Sequence, residues 1–309
     1  MSLLVVGSVA LDSLETPFGR REEVLGGSAS YFSACASFFG PVRAVAVVGE
    51  DFPEAHLEFL RSRGVDLGGV VRRPGRTFRW KGRYDFDLNT AHTLDTQLNV
   101  FAEFRPELPA AWRDSEHVFL GNIDPDLQRA VLDQVKSPRF VACDTMNFWI
   151  ASKRESLLET LRRVDLLFVN DAEARELAGE SNVVRAARKI LSFGPSAVVV
   201  KRGEYGAMFF SGTEVFAASA YPLADVFDPT GAGDSFAGGF MGYVAKTRCE
   251  DPGVLRRGIV LGSVLASFTV EQFSLDRLRT LTTAEIEARY AEARQLAHFD
   301  ELELGVFGS

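Results

Sequence analysis

DPTGAGDSFAGGF, residues 228–240, is the stretch on which the reading of this chain turns. Four glycines and two acidic residues fall within these thirteen positions. Gly231-Ala232-Gly233 lets successive backbone N–H groups turn toward one point. The run SFAGGFMGYVA that follows reads as a helix beginning at Ser235, and its first N–H groups are unpaired and positively polarised. Such a junction suits anionic oxygens. Asp234 stands at its edge. A carboxylate beside an anion hole makes chemical sense when it takes the proton of a hydroxyl attacking phosphorus, because phosphoryl transfer needs positioning, charge stabilisation and a group that orients the nucleophile.

Other glycine patterns do not fit. GxGxxG would need glycine at Phe236, no GxxxxGK[ST] occurs, and GxSxG would need glycine at Ala237. GDSF invites comparison with GDSL hydrolases. Their serine follows the first strand, however, and the four histidines here (His56, His92, His117, His298) sit in no partner motif.

Working outward, short apolar runs at 3–9, 42–48, 117–121, 139–144, 166–170 and 197–203 read as strands buried on both faces. Amphipathic stretches at 28–39, 53–63, 126–135, 153–163 and 183–193 read as the helices between them. Further strands are expected at 207–210 and 214–218, and further helices at 252–270 and 283–297. The alternation predicts a three-layer α/β/α fold around a mostly parallel sheet. Residues 70–104 break the pattern. Within them TFRWKGRY (77–84) alternates, with Phe78, Trp80 and Tyr84 on one side and Arg79, Lys81 and Arg83 on the other. This predicts a small sheet standing off the main domain. A half-exposed strand with ordinary basic residues outside would read the same way.

The chain has 309 residues and a net charge of 34 minus 42, or −8, which disfavours nucleic acid and anionic membrane as general partners. By length it is two domains or one large α/β domain with an insertion. Cys35, Cys143 and Cys249 have neither zinc nor disulfide spacing and read as reduced thiols of a cytoplasmic protein. MSLLVVGSVALDS reads as a first strand rather than a signal peptide, and no apolar run reaches the length of a membrane span.

The loop resembles the C-terminal signature of the ribokinase, or PfkB-type, carbohydrate kinases. The resemblance covers nearly the whole chain. GSVALD (7–12) resembles the family's first strand with its substrate-binding aspartate, and LGGSASYFS (25–33) its double-glycine motif. NDAE (170–173) matches its NxxE motif and KRGEYGA (201–207) its KxGxxG turn. The order and spacing agree.

The resemblance implies a ribokinase-like fold in a single domain, 1–309, with a β lid from about 12–25 and 70–104. It implies an ATP- and Mg²⁺-dependent kinase acting on a hydroxyl of a small carbohydrate or polyol, or on a nucleoside such as adenosine. Asp234 would be the general base, and the amides of Gly231, Ala232 and Gly233 the anion hole. Asn170 and Glu173 would organise Mg²⁺ and phosphate through water. Asp228 would hold a monovalent cation, K⁺ in members that use one. Lys201, Gly203 and Gly206 would border the nucleotide, with Gly262 and Ser263 near adenine. Asp12, Gly26, Gly27 and Asn99 would meet the acceptor, and Asn89 is a further polar candidate in the lid. Two lids would pair into a homodimer through the aromatic face of TFRWKGRY. Bland readings stand beside these: a helix cap for Asn170, close helix packing for Gly262, a turn for Asp228. A binding protein that keeps the fold without chemistry is the reading from another class.

Three departures mark the acceptor half. Ser30-Tyr31 stands where ribokinases usually carry an asparagine, VEQFS (270–274) lacks a glycine often found there, and DTMN (144–147) resembles the family's DPN without the arginine that often follows.

Overall fold

The computed structural model describes residues 2–301 except Thr213, so Met1, Thr213 and 302–309 of the expected 1–309 domain lie outside the described residues. The chain opens with β1 (Leu3–Val6), β2 (Ala10–Thr16), β3 (Gly19–Gly26), α1 (Ser28–Ala36), β4 (Val42–Gly49), α2 (Glu54–Ser62) and β5 (Val65–Arg73). Next come β6 (Arg79–Tyr84), β7 (Ala91–Gln97), β8 (His117–Leu120), α3 (Pro125–Leu132), β9 (Phe140–Asp144), α4 (Asn147–Ser152) and α5 (Arg154–Leu161). β10 (Leu166–Asn170), α6 (Asp171–Ala178), α7 (Val183–Leu191), β11 (Ala197–Lys201), β12 (Ala207–Ser211) and β13 (Val215–Ala218) continue the alternation. Helices close the chain: α8 (Ala232–Thr247), α9 (Pro252–Thr269), α10 (Asp276–Thr280) and α11 (Thr283–Leu296).

The main sheet runs β13-β12-β11-β10-β9-β8-β1-β4-β5. It is parallel from β5 through β11, and β12 and β13 are antiparallel additions at one edge. Side chains alternate across the sheet. Leu3, Val5, Phe119 and Phe168 therefore pack toward α1, α8 and α9, while Leu4, Val6, Val118 and Leu167 pack toward α3 and α5–α7. Both faces are covered, as the continuous apolar runs require. Phe168 takes the rings of Phe236 and Phe240 at centroid distances of 6.1 and 5.4 Å, which anchors the start of α8 on the sheet.

A second sheet has the order β3-β2-β6-β7. β2 pairs antiparallel with β3 and parallel with β6, and β6 pairs antiparallel with β7. The segment expected to stand off at 70–104 begins within β5, whose Val65 and Val70 pack on the main core. The small sheet thus takes only Arg79–Gln97 from that segment. On its aromatic face Tyr84 is buried and bonded to Thr230, while Phe78 and Trp80 are half-buried, so only part of the face expected to join two lids is open. Among the described residues no helix is long and apolar enough to cross a membrane.

Candidate active site

Parallel strands end together, and polar residues at their carboxyl ends converge. Asp144 closes β9, Asn170 closes β10 and Lys201 closes β11, with Asn170 and Lys201 in register. Lys201 Nζ donates to Asp144 Oδ2 at 2.8 Å. Burial alone would lower the Lys201 pKa, but Asp144 and Glu173 outweigh it and hold it raised.

α8 begins at Ala232, three residues before the expected start, so Asp234 lies in its first turn. Gly231 caps it with φ +75°, and a Cβ there would enter the Tyr31 ring at 2.4 Å. The expected arc of amides is shifted. Ala232 N–H is donated to Pro229 O at 3.2 Å and Ser235 N–H to Gly231 O at 2.8 Å. Gly231, Gly233 and Asp234 keep amides with no backbone partner among the described residues. A Cβ on Gly233 would lie 2.8 Å from Lys201 Nζ, so the ammonium stands directly beside these open amides.

Burial pushes the Asp234 carboxyl up to about 7; Asp144 adds to the rise and Lys201 opposes it. Glu173 is raised to about 7 by burial and then by Asp144, again against Lys201. Glu173 and Asn170 also form a reciprocal cap of α6, each side chain meeting the other residue's backbone N–H at 2.8 Å. The cap reading of NDAE is therefore real, and it holds Glu173 toward Asp144 and Lys201.

Asp12, on β2, is buried and pushed up to about 8, first by burial and then by Asp228, with the Gly27 amide opposing and Asp234 adding. Gly26 is needed beneath it, because a Cβ there would fall 1.9 Å from Asp12 Oδ2. Gly27 has φ +92° and lies against Ser8 O. Ser8 and Ser28 cross-bond through backbone and hydroxyl at 3.1 and 3.0 Å, which fixes the turn after β1 to the double-glycine loop.

Asp228 accepts from Thr230 N and Ser274 N, both at 2.9 Å. It builds the loop directly, and each oxygen retains a lone pair. Ser274 takes φ +56° in the segment where the family's glycine is missing. Its hydroxyl donates to Leu25 O, tying this segment to the double-glycine loop. Tyr31 fills the place of the usual asparagine; it is buried beneath Gly231 and supports the loop.

The remaining candidates are more peripheral. Gly203 (φ +55°) and Gly206 (φ +88°) shape the turn after β11, and Asn89 Oδ1 lies 3.0 Å from the Cβ position of Gly203. Gly262 packs α9 on Phe236, a Cβ there falling 2.7 Å from Phe236 O. Ser263 Oγ reaches Ser219 O at 3.4 Å. Asn99 is exposed with φ +49°, and its side-chain amide donates to Thr77 O at 2.9 Å. Asp144, Tyr31, Tyr84 and Thr230 are what sequence reasoning missed. A charged residue ending an apolar strand was the available signal for Asp144.

The model for pfkB family carbohydrate kinases matches residues 12–279, and the chain belongs to that family. It is a kinase, transferring a phosphoryl group to an alcohol. A cytidine kinase of Thermococcus kodakarensis is 32% identical over 253 residues, covering 80% of this chain and 90% of that protein. A nucleoside kinase of Methanothermobacter thermautotrophicus is 27% identical over 295 residues, covering 87% and 89%. Among solved structures, a ribokinase II-type protein of E. coli in complex with ATP and Mg²⁺ superposes with a TM-score of 0.74 at 20% identity, over 94% and 99% of the two chains. ATP and Mg²⁺ are the reagents of this kinase family. The residues present suit their phosphate–metal end: open amides and an ammonium for phosphate oxygens, and the carboxylates of Asp144 and Glu173, both close to Lys201, for the water shell of a hydrated hard cation.

Proposed function

We propose that this kinase transfers the γ-phosphoryl of ATP to a ribose hydroxyl of a nucleoside, with cytidine the first candidate. The observation that carries this is the tie between the two loops: Ser274 joins Leu25 O beside the double glycine to Asp228 of the glycine loop, and the buried Asp12 feels the charges of Asp228 and Asp234. In this reading the Asp12 carboxyl holds the acceptor and the Asp234 carboxyl activates it. The likeness to the cytidine kinase, over most of both chains, turns the reading from the free sugar toward the nucleoside. A free carbohydrate acceptor uses the same geometry and is the second reading.

Bound MgATP supplies the phosphoryl group and the metal's charge. Asp12 pairs with vicinal hydroxyls of the acceptor, and the Gly26–Gly27 backbone lets the sugar approach closely. Asp234 accepts the proton of the attacking hydroxyl. An oxygen–phosphorus bond forms as the bond to the β-phosphate oxygen breaks, and ADP leaves with its electron pair. The amides of Gly231, Gly233 and Asp234, with Lys201, face the charge on the transferred group. Asp144 and Glu173 would hold the Mg²⁺ end through water, and Gly203 and Gly206 would border the nucleotide. The small sheet acts as a lid that excludes water. Asp228 fixes the loop, and its free lone pairs would suit a monovalent cation.

The test is ATP consumption across nucleosides, sugars and polyols with Mg²⁺, with and without K⁺. Turnover of cytidine at least about tenfold more efficient than that of ribose supports the nucleoside reading. Turnover of base-free acceptors alone replaces it with the carbohydrate reading.

A further inference from the structure

Asp12 has a neighbour whose chemistry the sequence does not announce. β2 and β6 pair in parallel with Asp12 opposite Trp80 and Leu14 opposite Gly82. Paired residues share a face and stand about 5 Å apart. Trp80, Gly82 and Tyr84 therefore lie on the face that carries Asp12, and Tyr84 reaches Thr230 from it. Arg79 and Lys81 alternate to the opposite face, where Arg79 pairs with Glu23 and Asp51 at 2.8 Å.

The Trp80 indole is held flat. A Cβ on Gly82 would fall 2.1 Å from its six-membered ring, so the ring lies against the bare glycine backbone. Nε1 donates to Thr93 Oγ1 at 3.1 Å, which fixes the ring's rotation. Trp112, by contrast, is a core residue. Trp80 is half-buried, with its six-membered ring against Gly82. A rigid, oriented aromatic plane beside a hydroxyl-binding carboxyl is a stacking surface for a planar ring joined to a sugar.

We infer that Trp80 stacks on the base of a nucleoside acceptor while Asp12 holds its ribose, which makes Trp80 the residue that selects nucleosides over base-free sugars. The inference rests on the nucleoside reading above. The competing role for Trp80 is shielding the backbone at Gly82, a known use of aromatics over sheet glycines.

The two roles separate in steady-state kinetics of wild type, Trp80→Phe and Trp80→Leu with cytidine and MgATP, alongside quenching of intrinsic tryptophan fluorescence by cytidine. Loss of stacking is expected to raise the cytidine KM of Trp80→Leu at least about tenfold, one decade being about 1.4 kcal/mol. The KM for ATP should move far less. Trp80→Phe should recover most of the loss, and cytidine should quench wild type more than Trp80→Phe. Trp80→Leu with an unchanged cytidine KM, or with cytidine KM, ATP KM and melting temperature all moved together, overturns the inference and leaves the nucleoside reading standing. If no nucleoside is phosphorylated or quenches wild type while a base-free acceptor turns over, the nucleoside reading fails and this inference falls with it.

Discussion

Lys201 bridges two halves of the site: its ammonium donates to Asp144 Oδ2 at 2.8 Å and stands 2.8 Å from where a Cβ of Gly233 would be. One cation thus neutralises the end of β9 and reinforces the open amides at the start of α8. It also tunes Asp234, whose carboxyl Asp144 pushes up and Lys201 pulls down.

Opposite pH shifts follow for two variants. If Asp234 must be ionised to accept the proton, kcat/KM of the wild type should fall below about pH 7. Lys201→Met removes the opposing charge and should move that acid limb upward, with kcat lowered by roughly 10²–10³ through lost charge stabilisation. Asp144→Asn removes the adding charge and should move the limb downward. Limbs that move the same way in both variants would separate Asp234 from this cluster.

Stability of the ligand-free chain should decline from mildly acidic to alkaline pH. Asp12 is raised to about 8, and Glu173 and Asp234 to about 7, against ordinary values of 3.8 and 4.5. Between those limits the folded chain binds more protons than the unfolded one, so stability falls as pH rises through the window. Melting temperature at pH 5.5 should exceed that at pH 8.5. A higher melting temperature at pH 8.5 than at pH 5.5, without ligand, would contradict the burial of these groups.

Two glycines separate acceptor binding from loop geometry. Gly26→Ala drives a methyl into the Asp12 carboxyl and should raise the acceptor KM at least about tenfold, with ATP affinity kept. Gly231→Ala meets both the Tyr31 ring and a left-handed φ, at a cost of about 1–2 kcal/mol from φ alone. It should lower both the melting temperature and kcat. Isothermal titration with a non-hydrolysable ATP analogue, beside acceptor kinetics, resolves the pair.

Ser274 offers a test of backbone strain. It holds φ +56° without being glycine, and its amide donates to Asp228. Ser274→Gly relieves the dihedral but loses the hydroxyl bond to Leu25 O. These effects are each about 1 kcal/mol, so the melting temperature should change by no more than a few degrees. Ser274→Ala loses only the bond and should be the less stable variant of the two.

The strands were legible because parallel strands buried on both faces read as unbroken apolar runs, and β1, β8, β10 and β11 fell where those runs stand. β5 was not, since Val65–Arg73 mixes glycines, an aspartate and arginines at a sheet edge where only part of the strand is buried. The glycine loop stands out in the sequence through residue types no ordinary helix start needs. Asp144, Tyr31 and Tyr84 stayed hidden because their roles arise from placement: the end of a strand, the underside of Gly231, the inner face of β6. For Asn99 the sequence offers only its region, and its bond to Thr77 O is a contact no local pattern announces.

The most direct measurement is turnover of cytidine and MgATP by Asp234→Asn, with ligand binding followed in the same preparation. The account predicts retained fold and retained ATP-analogue binding, with kcat lowered by about 10²–10⁴ through loss of the base. Turnover near that of the wild type, in a variant that binds both substrates, would contradict the assignment of Asp234.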